Sequence, residues 1–272
     1  MSLTLTWLEN TTAPVNLAPL LPERLAGKSA AALARMRIEV GAGHMTVKRL
    51  FDIAGSPGDT LTIANATANL NRVGAGMGSG SLIVDGSVGA ELARGMRGGT
   101  ITVSGSAGDY ACAGMNGGTV SVRGSVGDRA GAAYPGEQLG MAGGVLHVRR
   151  NAGQRLGDRM RRGLIIVEGS AGDYCGSRMV AGTVIVCGDM GDQCGISMRR
   201  GTVIASASAV KPPASFVACG EFSELNFLPL LERHVSSVSR KAGRALREAS
   251  SVQRHAGDSA HGGLGELLLL TV

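Results

Sequence analysis

From Leu82 onward the chain alternates apolar and other side chains in short bursts: Leu82 with Val84, Ile101 with Val103, Val120 with Val122, Leu146 with Val148, Ile165 with Val167, Val184 with Val186. Such period-two patterning predicts β-strands with one face buried. The bursts recur at a fixed spacing. Met77, Met96, Met115, Met141, Met160, Met179 and Met198 are separated by 19, 19, 26, 19, 19 and 19 residues, and each has a glycine three residues later. The one long interval is a seven-residue insertion, placed at Ala133 to Leu139. Each strand runs into a turn, and a further glycine column follows at Gly89, Gly108, Gly127, Gly153, Gly172 and Gly191. Positive φ or close backbone approach demands glycine at such corners, and Gly172 is expected at positive φ. A repeat this short cannot bury its apolar face alone, so the repeats must stack. The expected fold is all-β: a right-handed parallel β-helix of about 19 residues per repeat, with a flanking N-terminal α/β segment and a C-terminal helix.

Three segments follow from where the repeat begins and ends. Residues 1–59 form an N-terminal capping segment, with Leu3, Leu5 and Trp7 alternating, "PERLAGKSAAALARM" as a helix and "MTVKRLFDIAG" as a first irregular coil. Residues 60–210 form the glycine-rich β-helix. Residues 211–272 form a C-terminal helix and tail packing on it. In that last segment Leu225, Leu228, Leu231, Val235 and Val238 recur at helical intervals, and "LPLLERHVSSVSRKAGRALREAS" is expected to be helical and to cross the open end of the stack. The tail "GDSAHGGLGELLLLTV" returns to glycine turns and one apolar strand.

One turn, "GSAGDYCGSRMVAG" at residues 169 to 182, carries an acid, a phenol and a thiol, as an active site would. Its recurrence along the chain marks it as architecture. The aspartates Asp109, Asp128, Asp173 and Asp192 are expected to cap local backbone N–H groups in the turns. The methionines are expected to fill the corners of the core. Cys175 and Cys194 share a repeat position and are read as stacked, buried thiols, since five cysteines without a CxxC pair suit a reducing compartment. The five histidines do not recur at the repeat period, so no ladder of metal ligands is expected. No catalytic, cofactor-binding or metal-binding residue is assigned.

Composition adds a surface to this picture. With 43 glycines and only 3% aromatic residues, close backbone stacking rather than large side chains must organise the core. The net charge is +6, and only four of the 27 basic residues are lysine. Stacking brings Arg159 and Arg178 to one repeat position and Arg97, Arg161 and Arg199 to another, with Arg162 and Arg200 beside the last two. These seven arginines are expected to gather along the Met-x-x-Gly corner, where the plain reading is a solvated face of like charges. The sharper reading is a docking patch for an acidic partner, or for the glutamate-bearing tail of a carrier molecule, since the guanidinium fork pairs with carboxylates. No aromatic platform interleaves the basic residues, so nucleic acid is not expected as a partner. The opening "MSLTLTWLENTTAPVNLAPLL" lacks a basic region followed by an apolar one, and no stretch is apolar enough to span a membrane, so a cytoplasmic location without membrane association is expected.

The repeat, "GSAGDYCGSRMVAGTVIVCG" above all, resembles the β-helix shared by the C-terminal domain of glutamate synthase and the C subunit of formylmethanofuran dehydrogenase. The flanks "LAGKSAAALARMRIEVG", "LFDIAG" and "GDSAHGGLGELLLL" resemble the latter, stand-alone protein, with Leu264 standing where that family carries a basic residue. An Arg- and Ala-rich composition leans toward the related formyltransferase/hydrolase complex of bacterial methylotrophs. The resemblance implies a non-catalytic scaffold subunit without a cofactor, in a hetero-oligomer with amidohydrolase-like, formyltransferase-like and pterin-subunit-like chains. That complex moves a formyl group from a tetrahydromethanopterin carrier to a methanofuran analogue and releases formate. The alternative is a spacer domain of the kind found in glutamate synthase.

Overall fold

The computed structural model describes residues 2–206, 208–223 and 225–271. The repeat strands are β6 (Thr60–Ala66), β8 (Ser81–Gly86), β9 (Thr100–Val103), β10 (Thr119–Val122), β11 (Ala142–Val148), β12 (Arg162–Val167), β13 (Thr183–Val186) and β14 (Arg200–Ser206), with a short β7 (Leu70–Asn71) between the first two. All pair parallel, and the register is the repeat itself: Ile101 lies opposite Val120, Ile165 opposite Val184, and Val184 opposite Val203. Between successive strands the chain makes a second parallel ladder of single bridges, Val88 to Ala107 to Val126 to Ala152 to Ala171 to Met190. Strand row, bridge row and methionine column enclose the core, and every methionine from Met77 to Met198 at the repeat period is fully buried.

The turns hold the stack together by hydrogen bonds between repeats. Asp109 accepts from the Asp128 N–H at 2.8 Å, Asp128 from Gln154 at 2.9 Å, and Asp173 from Asp192 at 2.9 Å. These three aspartates therefore cap the next repeat rather than their own turn. Parallel backbones place the following repeat's N–H directly beside the carboxylate, nearer than the local amides. A second ladder runs beside it, in which Ser87, Ser106, Ser125, Asn151 and Ser170 each accept the N–H of the equivalent residue one repeat on. Gly172 is not at positive φ. It is glycine because a Cβ there would come within 2.9 Å of the Gln154 nitrogen and 3.0 Å of the Gly153 carbonyl carbon in the preceding repeat.

The N-terminal segment departs from a simple first coil. β1 (Ser2–Trp7) pairs parallel with β6 as the first rung, and β5 (Phe51–Gly55) pairs antiparallel with β1 at the sheet edge. Trp7 packs on Phe51 with ring centroids 5.3 Å apart. The expected single helix is two, α1 (Pro22–Leu25) and α2 (Ala30–Arg35), separated by Gly27 at φ +77° and capped anew by Ser29. β2 (Val15–Asn16), β3 (Arg37–Val40) and β4 (Gly43–Thr46) form a small sheet with β7, and α3 (Val47–Leu50) leads into β5.

At the other end, strands rather than a helix close the sheet. β17 (Leu264–Thr271) pairs parallel with β14, Leu267 opposite Val203, and β16 (Ser251–Gly257) and β15 (Val217–Phe222) extend it antiparallel. The expected long helix breaks at Ser239 into α4 (Leu228–Val238) and α5 (Arg240–Glu248), with the Ser239 hydroxyl capping the Ala242 N–H. This hairpin lies on the outer sheet face, where Val235, Ala242 and Leu246 join Leu164, Ile166, Ile185, Ile204 and Leu268 in a second apolar cluster. Among the described residues no helix is long and apolar enough to cross a membrane.

Candidate docking surface

The turn at residues 169 to 182, with its acid, phenol and thiol, has an unusual backbone. Tyr174, Gly176 and Arg178 all have positive φ, at 61°, 67° and 55°. Their N–H groups reach alternately forward and back along the stack, to Asp192, Leu156 and Ile196 oxygens, each at 2.8 Å. Glu91, Ala93 and Gly95 repeat the arrangement, donating to Asp109, Val73 and Ala113. A left-handed non-glycine residue costs about 1–2 kcal/mol, which these inter-repeat bonds offset. The turn thus holds the roots of the half-buried Tyr174 and Arg178 rigidly through inter-repeat bonds.

The acid, phenol and thiol of that turn do not converge. Asp173 is occupied by the Asp192 N–H. The Arg155 guanidinium lies over the Tyr174 ring, 4.7 Å from its centroid. Burial raises the Cys175 thiol far above the usual range, with the Cys194 sulfur adding to the effect, and burial pushes Cys194 up to about 12. Both are therefore protonated at neutral pH and poor nucleophiles. Both are free cysteines. Among the described residues no three His, Cys, Asp or Glu side chains group as metal ligands.

The seven arginines divide by environment. Arg97, Arg161 and Arg199 occupy one row, each donating its backbone N–H to a methionine oxygen of the preceding repeat. Asn116 and Ala142 stand between the first two and Val180 between the last two. At about 4.8 Å per rung, Arg97 lies roughly 14 Å from Arg161, and Arg161 roughly 10 Å from Arg199. The row is a spaced series of exposed charges, not one continuous patch. Arg162 and Arg200 begin β12 and β14 and are also exposed. Arg178 is committed elsewhere: its Nε and Nη2 grip both oxygens of the buried Asp158, at 2.8 and 2.6 Å, and the Ser177 hydroxyl donates to the same carboxylate at 2.7 Å. Arg159 is half-buried, with one long contact of 3.5 Å to the Glu137 oxygen.

The insertion organises the surface around Arg159. It folds back over the preceding repeats: the Tyr134 phenol donates to Glu91 at 3.2 Å, its ring meets Tyr110 edge-on at 5.1 Å, and the Arg94 guanidinium lies 3.4 Å from its centroid. Arg94 also bridges Glu91 at 2.9 Å and Glu137 at 3.0 Å. Burial alone would raise the Glu91 carboxyl, but the Arg94 hydrogen bond, the Arg72 charge and the Tyr134 phenol together hold it below its ordinary value. The result is a cleft of about 330 Å³ between the insertion and the turns, lined by Tyr110, Arg129, Tyr134, Asp158, Arg159 and Arg178 among others. Glu91, Tyr110 and Arg129 share one repeat position, so their stacking follows from the period; what the period does not encode is the fold-back of the insertion that brings Tyr134 and Glu137 onto Glu91 and Arg94.

A second polar cluster fastens the helical hairpin. His147 Nε2 lies 2.8 Å from Glu168 Oε1, and the Ser239 hydroxyl donates to the same oxygen at 2.6 Å. Lys241 Nζ donates to the Glu168 backbone oxygen at 2.6 Å.

The family model for the GXGXG motif matches residues 81–211, the span from β8 through β14. The C subunit of the formyltransferase/hydrolase complex Fhc of Methylorubrum extorquens is 40% identical over 78 residues, which is 29% of this chain and 29% of that protein. Over its full length the chain matches a chain of the crystal structure of the formyltransferase/hydrolase complex FhcABCD from the same organism, solved with methylofuran. The TM-score is 0.93 and the identity 37%, covering 99% of this chain and 100% of the other. The chain belongs to the family of C subunits of the formyltransferase/hydrolase complex. The family match takes in the flanks as well as the repeats, so the antiparallel edge strands and the helical hairpin belong to the family's fold.

Proposed function

We propose that the chain is the scaffold subunit of a formyltransferase/hydrolase complex and has no catalytic centre of its own. The observation that carries this reading is the fit of the whole chain, flanks included, to a chain of FhcABCD. In this reading the partner chains are amidohydrolase-like, formyltransferase-like and pterin-subunit-like. They transfer the formyl group from a tetrahydromethanopterin carrier to a methanofuran analogue and release formate, in the cytoplasm. This subunit holds no cofactor or metal.

The central repeats act in this reading as a right-handed parallel β-helix, a stiff prism capped by residues 1–59 and 211–272. Rigidity suits a platform, because inter-repeat hydrogen bonds spread any load along the stack. Its spaced arginines, Arg97, Arg159, Arg161, Arg162, Arg199 and Arg200, face acidic partner surfaces and steer their approach. Arg178 keeps the turn in shape through Asp158.

Purification of the tagged full chain from its native host tests the assignment. Co-elution of the formyltransferase-like and amidohydrolase-like chains is expected, and a lone monomer overturns it. Formyl transfer or formate release by the chain on its own would overturn the non-catalytic part separately.

A further inference from the structure

We propose that the cleft beneath the insertion is a socket for a carboxylate, filled by an aspartate or glutamate side chain from a loop of a partner subunit. The proposal rests on the scaffold reading and adds to it a defined pocket and a ligand chemistry.

Unpaired positive charge lines the cleft. Arg178 is held by Asp158, and Arg94 by Glu91 and Glu137. Arg129 and Arg159 form no ion pair with a carboxylate among the described residues, yet both line the cleft. Arg129 is oriented by the Tyr110 phenol, 2.8 Å from its Nη1, with its guanidinium 5.5 Å from the ring centroid. Its remaining donors bond no partner among the described residues. The backbones beneath both arginines are stapled to the next repeat, Arg129 N–H to the Gln154 oxygen at 2.7 Å and Arg159 N–H to the Ser177 oxygen at 3.0 Å. Two guanidinium groups are thus presented from rigid roots, an arrangement that lowers the entropic cost of closing on a ligand.

The net charge of the lining selects the ligand. Arg129, Arg159 and Arg178 face Glu137 and Asp158, leaving one positive charge. A single carboxylate neutralises it, whereas a dianionic phosphate would meet two carboxylates already in place. The rim selects its source. Pro135, Gly136 and Glu137 are exposed and stand along an open cleft, so a free small acid would bury little apolar surface, while a protein loop adds contacts along the rim.

The repeat itself supplies the variants for a test. Gln193 occupies the repeat position of Arg129 with φ 60°, and Ser197 that of Arg159 with φ 59°, so Arg129→Gln and Arg159→Ser introduce residues the turn already accepts. The full chain is titrated with a labelled short peptide carrying Asp-Glu-Asp between Gly and Ser residues, with its Asn-Gln-Asn counterpart, and with inorganic phosphate. Binding of the acidic peptide is expected, weakened about tenfold by either variant and unaffected by Arg123→Gln outside the cleft. In the unaltered chain, bound peptide should also protect Arg129 and Arg159 from an arginine-modifying dicarbonyl reagent, read by mass spectrometry. Equal binding of the neutral peptide, indifference to both variants, or absence of protection overturns the socket. Phosphate displacing the peptide at equal concentration overturns the choice of occupant. A chain that binds the peptide but co-purifies with no partner keeps the socket and loses the scaffold reading. A chain that assembles but ignores the peptide does the reverse.

Discussion

The methyl group of Met160 lies 2.9 Å from the position that a Cβ on Gly182 would occupy, so the methionine of one repeat fills the space left by the glycine of the next. Met77 stands in the same relation to Gly99, Met96 to Gly118, and Met179 to Gly201. The two columns seen in the sequence are therefore one device, a thioether tip lodged against a bare Cα. Gly182 also has φ +105°, so an added side chain meets strain as well as crowding. Gly182→Ala should cost about 2–3 kcal/mol in chemical unfolding, and Met160→Ala about 2–4 kcal/mol. The double variant should cost about 1 kcal/mol less than the sum, because removing the thioether relieves the clash. Strict additivity would show that the two residues do not share the space.

The turn carrying Asp173 and Cys175 predicts a negative result. Asp173→Asn retains the oxygen that accepts the Asp192 N–H, so stability should change by less than about 0.5 kcal/mol, whereas Asp173→Ala should lose about 1 kcal/mol. Cys175→Ser buries a hydroxyl in an apolar setting and should cost about 1–3 kcal/mol. Turnover of the assembled complex should stay within a few-fold of normal in the Asn and Ser variants. A loss of several orders of magnitude with the fold intact would make this turn catalytic.

The Glu168 cluster sets an acid limit on the hairpin. Burial opposes ionisation of Glu168, but hydrogen bonds from Ser239 and His147 and the charges of His147 and Arg149 prevail and hold its carboxyl below the ordinary 4.5. The unfolded chain therefore binds this proton at higher pH than the folded one. The resulting stability is fully present above about 4.5 and is lost as pH falls through the lower folded value. Unfolding midpoints measured from about pH 6 down to 3 should decline in the native chain and decline less steeply in Glu168→Gln. Parallel slopes in the two proteins would remove Glu168 from the acid response.

The repeat, its register and the buried methionines were legible because one period governs strands, bridges and turns together. The footprint of the helical hairpin was written only in part in the chain, in the middle residue of each strand from β9 on. In β8 that residue is Ile83, apolar yet exposed, so an apolar middle residue alone does not mark the covered face. That residue is Thr102 in β9 and Ser121 in β10, then His147, Ile166, Ile185 and Ile204 in β11 to β14. The last four are buried, because α4 and α5 cover that part of the outer face. The departure from clean alternation at Ile166 carried this signal, but period alone cannot say what lies on the second apolar face. The cleft was less legible. Its walls join Tyr134 of the insertion to Glu91 and Arg94, 43 and 40 positions earlier, through a fold-back that has no counterpart in the repeat. Asp158 likewise showed no feature marking it as the partner of Arg178, since only its burial makes that pair decisive.

The division among the arginines predicts how assembly responds to charge. Arg161 and Arg199 are exposed and, among the described residues, ion-pair with no carboxylate, so reversing them disturbs no internal contact. Arg161→Glu with Arg199→Glu should leave the melting temperature of the chain within about 2 °C of normal, as expected of surface substitutions. If these residues steer an acidic partner, the same variant should assemble more slowly, and the native complex should lose association rate as salt is raised because exposed charges are screened over a Debye length of about 10 Å. Arg178→Glu provides the contrast. It places a carboxylate against the buried Asp158 in a left-handed turn, so it should destabilise the chain by about 3 kcal/mol or more before any partner is added. Gel filtration of reconstituted complexes across a salt series, with unfolding curves of the free chains, separates these effects. A complex of Arg161→Glu/Arg199→Glu chains that forms at the native rate at every ionic strength would leave that row as ordinary surface and confine partner recognition to other faces of the stack.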